Sequence, residues 1–151
     1  MTDALDAIMA VMEKAFDPRY GEAWNRRQVS DSLILRNVHY TLIDPSGTDD
    51  ADLDNVTGFA LTRQVLDEEE ILLIAVLPSE RDAGVGKQLL AEVINRARAR
   101  LVSRIFLEMR DGNSAEHLYR RFGFLKIGQR KGYYRGAVGG PLDAITFAKE
   151  L

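Results

Sequence analysis

With 151 residues, 46% of them hydrophobic, the chain can bury one proper core and is expected to form a single domain over residues 1–151. It has no cysteine, which excludes disulfides, thiolate nucleophiles and cysteine-held zinc or iron–sulfur sites, and its two histidines, His39 and His117, are too far apart in sequence to suggest a metal site. The net charge of −3 speaks against nucleic-acid binding, no apolar run reaches the roughly 18 residues of a membrane span, and Asp3, Asp6 and Glu13 are unlike a signal peptide, so a cytoplasmic protein is expected.

Leu5, Ile8, Met9, Met12 and Phe16 recur at helical spacing and predict an amphipathic helix over 3–16. Asp17-Pro18 closes it, because proline lacks the N–H donor and constrains the residue before it. A second helix is expected over 24–36, carrying Val29, Leu33 and Ile34. Residues 38–43 alternate like a strand, Asp44-Pro45-Ser46-Gly47 is a turn, and the aspartate-rich 48–55 reads as a mobile loop. An antiparallel pair is expected from 56–66 and 70–77, with Asp67-Glu68-Glu69 as its solvated tip. Val85, Leu89, Leu90, Val93, Ile94 and Ala97 form the apolar stripe of the next helix, and Arg96, Arg98 and Arg100 suit the negative end of its macrodipole.

A strand over 104–110 follows, then a short helix over 114–122 and a strand over 125–129. The glycine-rich 132–140 reads as a long loop and 144–149 as the last strand. Residues 71–109 run strand, loop, helix, strand, a βαβ unit that joins parallel strands by a right-handed crossover. The expected fold class is therefore α/β: a mixed, mostly antiparallel sheet with helices on both faces and a central βαβ unit.

The most informative stretch is Arg81-Asp82-Ala83-Gly84-Val85-Gly86-Lys87, between a strand and a helix. A P-loop needs Ser or Thr after Gly-Lys, and Gln88 stands there; a dinucleotide fingerprint needs a third small residue where Leu89 stands. What survives is R-x-x-G-x-G, which can turn backbone N–H groups at a helix N-terminus toward a pyrophosphate. On these residues alone an ordinary tight strand-to-helix turn is the favoured reading.

Ile74-Ala75-Val76-x-Pro78 followed by Arg81-x-x-Gly84-x-Gly86 resembles the acetyl-CoA-binding motif of the Gcn5-related N-acetyltransferases. The second half of the chain resembles the ribosomal-protein-alanine N-acetyltransferases within that superfamily. It matches them in Leu107-Glu108-Met109-Arg110, Asn113, Leu118-Tyr119, Phe122-Gly123-Phe124, Arg130-Lys131-Gly132-Tyr133-Tyr134 and Asp143-Ala144-Ile145. The resemblance implies that backbone groups of Ile74, Ala75 and Val76 pair with the pantetheine arm of acetyl-CoA. It implies that Arg81, Asp82, Ala83, Gly84, Val85, Gly86 and Lys87 wrap its pyrophosphate, with Asn113 as a further cofactor contact and no metal. Asp82 departs from the basic residue common in the family, Asn113 stands one residue nearer to Leu118 than usual, and Gly132 replaces an asparagine.

Amide formation from a thioester needs a neutral amine, a polarised carbonyl and a protonated leaving group. An α-amino group of pKa about 7.7–8.0 is short of neutrality at pH 7 by about 1 kcal/mol, whereas a lysine is short by more than about 4 kcal/mol. One carboxylate working through water suffices for an N-terminus. Strand alternation puts Ile105, Leu107 and Met109 on one face and leaves Glu108 on the other, beside Phe106. The resemblance makes Glu108 the general base, Tyr119 the general acid and Tyr133 and Tyr134 contacts to the acceptor peptide. Two adjacent strand tyrosines are expected to face opposite ways. His117 reads as a helix-surface residue, and Trp24 as packing or a wall of the acceptor groove.

The expected function is acetyl transfer from acetyl-CoA to a protein N-terminus, the N-terminal alanine of a ribosomal protein being preferred as acceptor. A small amine or another protein N-terminus is the alternative acceptor. A regulatory module that binds acyl-CoA without turnover is the alternative of another class. Neither nucleic acid nor a membrane is expected as a partner.

Overall fold

The computed structural model describes residues 1–81, 83–135 and 140–151. The first helix, α1 (Ala4–Ala15), starts at a reciprocal cap in which the Asp3 carboxylate accepts from the Asp6 N–H and Asp6 answers the Asp3 N–H. The second, α2 (Arg26–Leu33), is shorter than the 24–36 expected. Asn25 and Gln28 make the same kind of cap and fix its start after Trp24. Between them, residues 16–25 hold one tight 3-10 turn at Pro18–Tyr20.

Among the described residues six strands follow: β1 (Val38–Ile43), β2 (Gly58–Val65), β3 (Glu68–Val76), β4 (Arg104–Arg110), β5 (Leu125–Tyr134) and β6 (Leu142–Glu150). They form one sheet in the order β1-β2-β3-β4-β6-β5. Only β3 and β4 run parallel, joined by α3 (Val85–Ala99), which is the expected βαβ unit. A short helix, α4 (Glu116–Arg121), links β4 to β5.

The sheet separates two cores. On one face α1 and α2 bury Ile8, Met12 and Val29 against Phe59, Leu61, Leu73 and Ala75. On the other, α3 and α4 bury Leu90, Ile94 and Tyr119 against Ile105, Leu107, Ile145 and Phe147. Ile71 belongs to the second core and Leu73 to the first, which strict alternation along β3 forbids. The register explains it: Leu61 pairs with Leu73 but Thr62 with Ile71, so Leu72 is an extra residue, a β-bulge that swaps the faces of β3 at its midpoint.

Three expectations are corrected. The strand β3 begins at Glu68, and Glu69 is no solvated tip: it is fully buried and gripped by both oxygens from the Arg100 guanidinium at 2.6 and 2.8 Å. The segment 48–55 is pinned, because the buried Asp44 carboxylate accepts from the Ser46 N–H and hydroxyl, the Gly47 N–H and the Asp52 N–H. Ala51 and Leu53 pack onto the α1 core. Finally, β5 does not stop at 129 but runs to Tyr134, so Gly132, Tyr133 and Tyr134 are strand residues; the rest of the expected loop includes 136–139, outside the described residues.

Candidate active site

The parallel pairing of β3 and β4 ends at Ile71↔Leu107, although both strands continue. β3 stays paired to β2 as far as Val76, so its residues 72–76 keep a strand edge without a ladder partner in the middle of the sheet. The bulge at Leu72 bends β3 at the point where the strands part. The result is a gap through the sheet, and a cleft lies at each mouth.

The larger cleft, about 880 Å³, takes in Ile74, Ala75, Val76, Gly84, Gly86 and Lys87. The smaller, about 380 Å³, takes in Trp24, Leu107, Glu108, Tyr133 and Tyr134. Phe16, Glu22, Ile74, Asn113 and Tyr119 line both and mark the junction. Their charges differ. Cations Arg19, Arg81, Lys87, Arg110 and Arg121 line the larger cleft beside Asp17 and Glu22, while among the described residues the smaller is lined by Glu22, Glu70 and Glu108, each ion-paired to an arginine, Arg110, Arg63 and Arg130.

The larger cleft suits a polyanion with an amide-bearing arm. Gly84 sits at φ 82°, a left-handed conformation natural to glycine, and among the described residues no side chain caps α3. The first N–H groups of a fifteen-residue helix are thus left facing the cleft with the positive end of its dipole. Gly86, in the first turn of α3, lies beside Leu118 of α4, and a Cβ there would make an ordinary 3.4 Å contact with Leu118 Cδ2. The free edge of β3 can pair with amide groups as a strand would. Arg81 is committed elsewhere as well: its Nη2 donates to the Ala15 carbonyl at 2.6 Å and ties the loop to the end of α1. Ala83 is exposed in this loop; Asp82 lies outside the described residues. Asn113 Oδ1 accepts from the Ala115 N–H at 2.9 Å, and the residue lines both clefts.

In the smaller cleft Glu108 lies on the α1/α2 face of β4, as alternation predicts. Arg130 reaches over from β5 and grips both carboxylate oxygens, with Nε 3.0 Å from Oε2. The Arg130 guanidinium also lies 3.8 Å from the Tyr133 ring centre. Tyr133 and Tyr134 do not face apart. Arg130 pairs with Ala144 but Tyr134 with Leu142, so β5 carries two extra residues, and Gly132 takes φ 63° within that bulge. The kink brings both rings into the cleft, edge to face at 5.2 Å. Asp143, of the Asp-Ala-Ile motif, holds the bulge by accepting from the Gly132 N–H at 2.9 Å and from Gln129. Those bonds keep its carboxyl below the usual range.

Tyr119 reaches the junction from the opposite face of the sheet, 4% exposed and edge-on to Phe124. Burial pushes its phenol well above the ordinary tyrosine range, and the charge of Glu22 adds to the rise. Tyr134 is pushed up to about 12 by burial, then by Glu108 and Glu22. His117 lies exposed on α4 at the rim of the larger cleft, and Trp24 walls the smaller one.

Sequence reading missed Glu22. It stands on the irregular segment between α1 and α2 and meets Arg110 at 3.2 Å, a partner 88 residues away, so no local pattern points to it.

The profile of the acetyltransferase (GNAT) family matches residues 6–124. The chain is 38% identical over 95 residues to the [ribosomal protein bS18]-alanine N-acetyltransferase of Haemophilus influenzae, a match spanning 63% of this chain and 65% of that protein. It is 39% identical over 139 residues to the N-alpha-acetyltransferase RimI of Mycobacterium tuberculosis, covering 89% of this chain and 77% of that one. Its fold superposes on the ribosomal-protein-S18-alanine N-acetyltransferase of Escherichia coli with a TM-score of 0.81 at 26% identity, over 99% of this chain and 91% of the other.

Proposed function

The chain belongs to the GNAT acetyltransferase family, and from that premise we propose that residues 1–151 form one N-acetyltransferase domain that acetylates the α-amino group of a protein N-terminus. The observation that carries the reading is the gap between β3 and β4, which joins a cationic cleft to an acidic one at Tyr119. Acetyl-CoA, when bound, supplies an activated acyl thioester. Ile74, Ala75 and Val76 would hold its arm by backbone pairing. Arg81, Gly84, Val85, Gly86 and Lys87 would hold its phosphates, and Asn113 would add a contact at the junction.

Glu108 takes a proton from the acceptor amine, through water, on the acidic side. Tyr119 keeps a proton on its hydroxyl for the departing sulfur, because burial and the Glu22 charge hold the phenol neutral. Tyr133 and Tyr134 flank the acceptor chain. The similarity to enzymes named for ribosomal protein bS18 supports the N-terminal alanine of a ribosomal protein as acceptor.

The test is thiol release from acetyl-CoA with a basic peptide that begins with alanine, the same peptide with a blocked N-terminus, and a panel of small amines. Release that requires the free α-amine supports the reading. Release only with small amines replaces the acceptor class. Binding of acetyl-CoA without release, unaltered by Glu108→Gln, leaves a binding module.

A further inference from the structure

We infer that Arg110 is a positioning residue that latches the segment between α1 and α2 over the junction of the two clefts, and that the Glu22 carboxylate it places there binds the amine of the acceptor. The inference rests on the N-terminal acetyl-transfer reading. Among the described residues Glu22 is the one carboxylate that lines both clefts and faces the junction together with Tyr119 and Ile74. Arg110 Nε donates to its Oε1 at 3.2 Å, and both side chains are only 16% exposed. Oε2 has no partner among the described residues and is left for an N–H donor. The Arg110 guanidinium also lies 3.7 Å from the centre of the Tyr20 ring, so one planar group holds two residues of the segment.

Arg110 is two residues beyond Glu108 on the same face of β4, about 7 Å along the strand. An amine between the two carboxylates would meet Glu22 on the cofactor side and Glu108 on the other. The negative charge of Glu22 is felt by Tyr119 and by Tyr134, as expected for a carboxylate set between them. Arg110 does line the cationic cleft, which raises the competing role of a phosphate ligand. Its Nε and its ring-facing plane are already engaged by Glu22 and Tyr20.

Steady-state kinetics with an alanine-starting basic peptide decide between the two roles, using wild type, Glu22→Gln, Arg110→Gln, Arg110→Lys and the Glu22→Gln/Arg110→Gln double variant. Loss of a hydrogen bond to a charged group should raise the peptide KM about tenfold or more in Glu22→Gln and in Arg110→Gln. Acetyl-CoA affinity, measured by calorimetry, should stay within about twofold of wild type in both. The double variant should be no worse than Arg110→Gln alone, since the two residues act as one unit. Arg110→Lys should recover part of the loss, keeping the charge without the planar stack. An unchanged peptide KM in Glu22→Gln overturns the inference while leaving the acetyl-transfer reading intact. So does a loss of acetyl-CoA affinity in Arg110→Gln that Glu22→Gln does not share, which makes Arg110 a phosphate ligand. A wild type without turnover on any amine overturns the acetyl-transfer reading, and this inference with it.

Discussion

Glu108 is set in position before any acceptor arrives, because the two-pronged grip of Arg130 leaves its carboxylate one orientation over the cleft. Glu108→Gln keeps the shape of that side chain and removes its capacity to take a proton. It should lower kcat/KM by about 10²- to 10⁴-fold, as loss of a general base does, with acetyl-CoA binding unchanged by calorimetry. Tyr119 makes a different prediction because it is tuned the other way. Its phenol is raised by burial first and by Glu22 second, so the neutral, proton-bearing form persists on the alkaline side. The ultraviolet difference between wild type and Tyr119→Phe should therefore show no tyrosinate through roughly pH 10, the ordinary tyrosine value. Ionisation of one tyrosine near that value would place the phenol in water and remove it from the junction. Tyr119→Phe itself should cost kcat rather than acetyl-CoA affinity, since it deletes a proton donor and leaves the edge contact with Phe124 in place.

The elements show where local sequence signals were enough and where they failed. Alternation in Arg104–Arg110 gave the right faces, because β4 is regular and each of its residues faces one partner on β6. β3 and β5 both carry extra residues, and a bulge leaves no trace in hydrophobic period. Gly132 was legible as a special backbone position but misread as the start of a loop. Its left-handed φ makes a kink inside a strand, held by Asp143. Gly132→Ala tests that account. Among the described residues a Cβ there would meet only Pro141, at an ordinary 3.7 Å, so the cost is conformational, about 1–2 kcal/mol. The thermal midpoint should fall, and the peptide KM should rise because Tyr133 and Tyr134 no longer share the cleft. The turn at Asp44 was also legible, though not its reach to Asp52. The Ser46 hydroxyl first, then the N–H groups of Asp52, Ser46 and Gly47, lower the Asp44 pKa. A lowered carboxyl stabilises the fold above its unfolded value of about 3.9 and loses that contribution as pH falls through the folded value. Asp44→Asn should thus be less stable than wild type at pH 7, and the gap should close toward acid pH in denaturant titrations.

At the scale of the whole molecule, the sheet is closed at one end and open at the other, and the closed end must bear the strain of holding β3 and β4 together. The parallel topology was legible from the strand–helix–strand order, whereas the make-up of the closed end was not, because the acidic run 67–69 reads as a surface tip and hides a buried ion pair. Glu69, fully buried near the start of the β3–β4 ladder, binds Arg100 at the end of α3 with two short contacts, and Ser103 bonds Asp67 nearby. The pair therefore ties the crossover helix to the strand it left. Its Arg100 Nε is buried without a partner among the described residues, so the pair is imperfectly satisfied. Glu69→Ala would strand a guanidinium that keeps 26% exposure, and should destabilise the protein by about 2–3 kcal/mol, below the range for a fully buried pair. Replacing both partners by apolar side chains, Glu69→Leu with Arg100→Met, should bring stability back to within about 1 kcal/mol of wild type, because the desolvation of both charges is removed together. Urea unfolding reads both values. The double variant should also retain acetyl transfer, since Glu69 and Arg100 line neither cleft. Stability restored with transfer lost would mean that the ion pair sets the width of the gap, and that the two ends of the sheet are mechanically coupled.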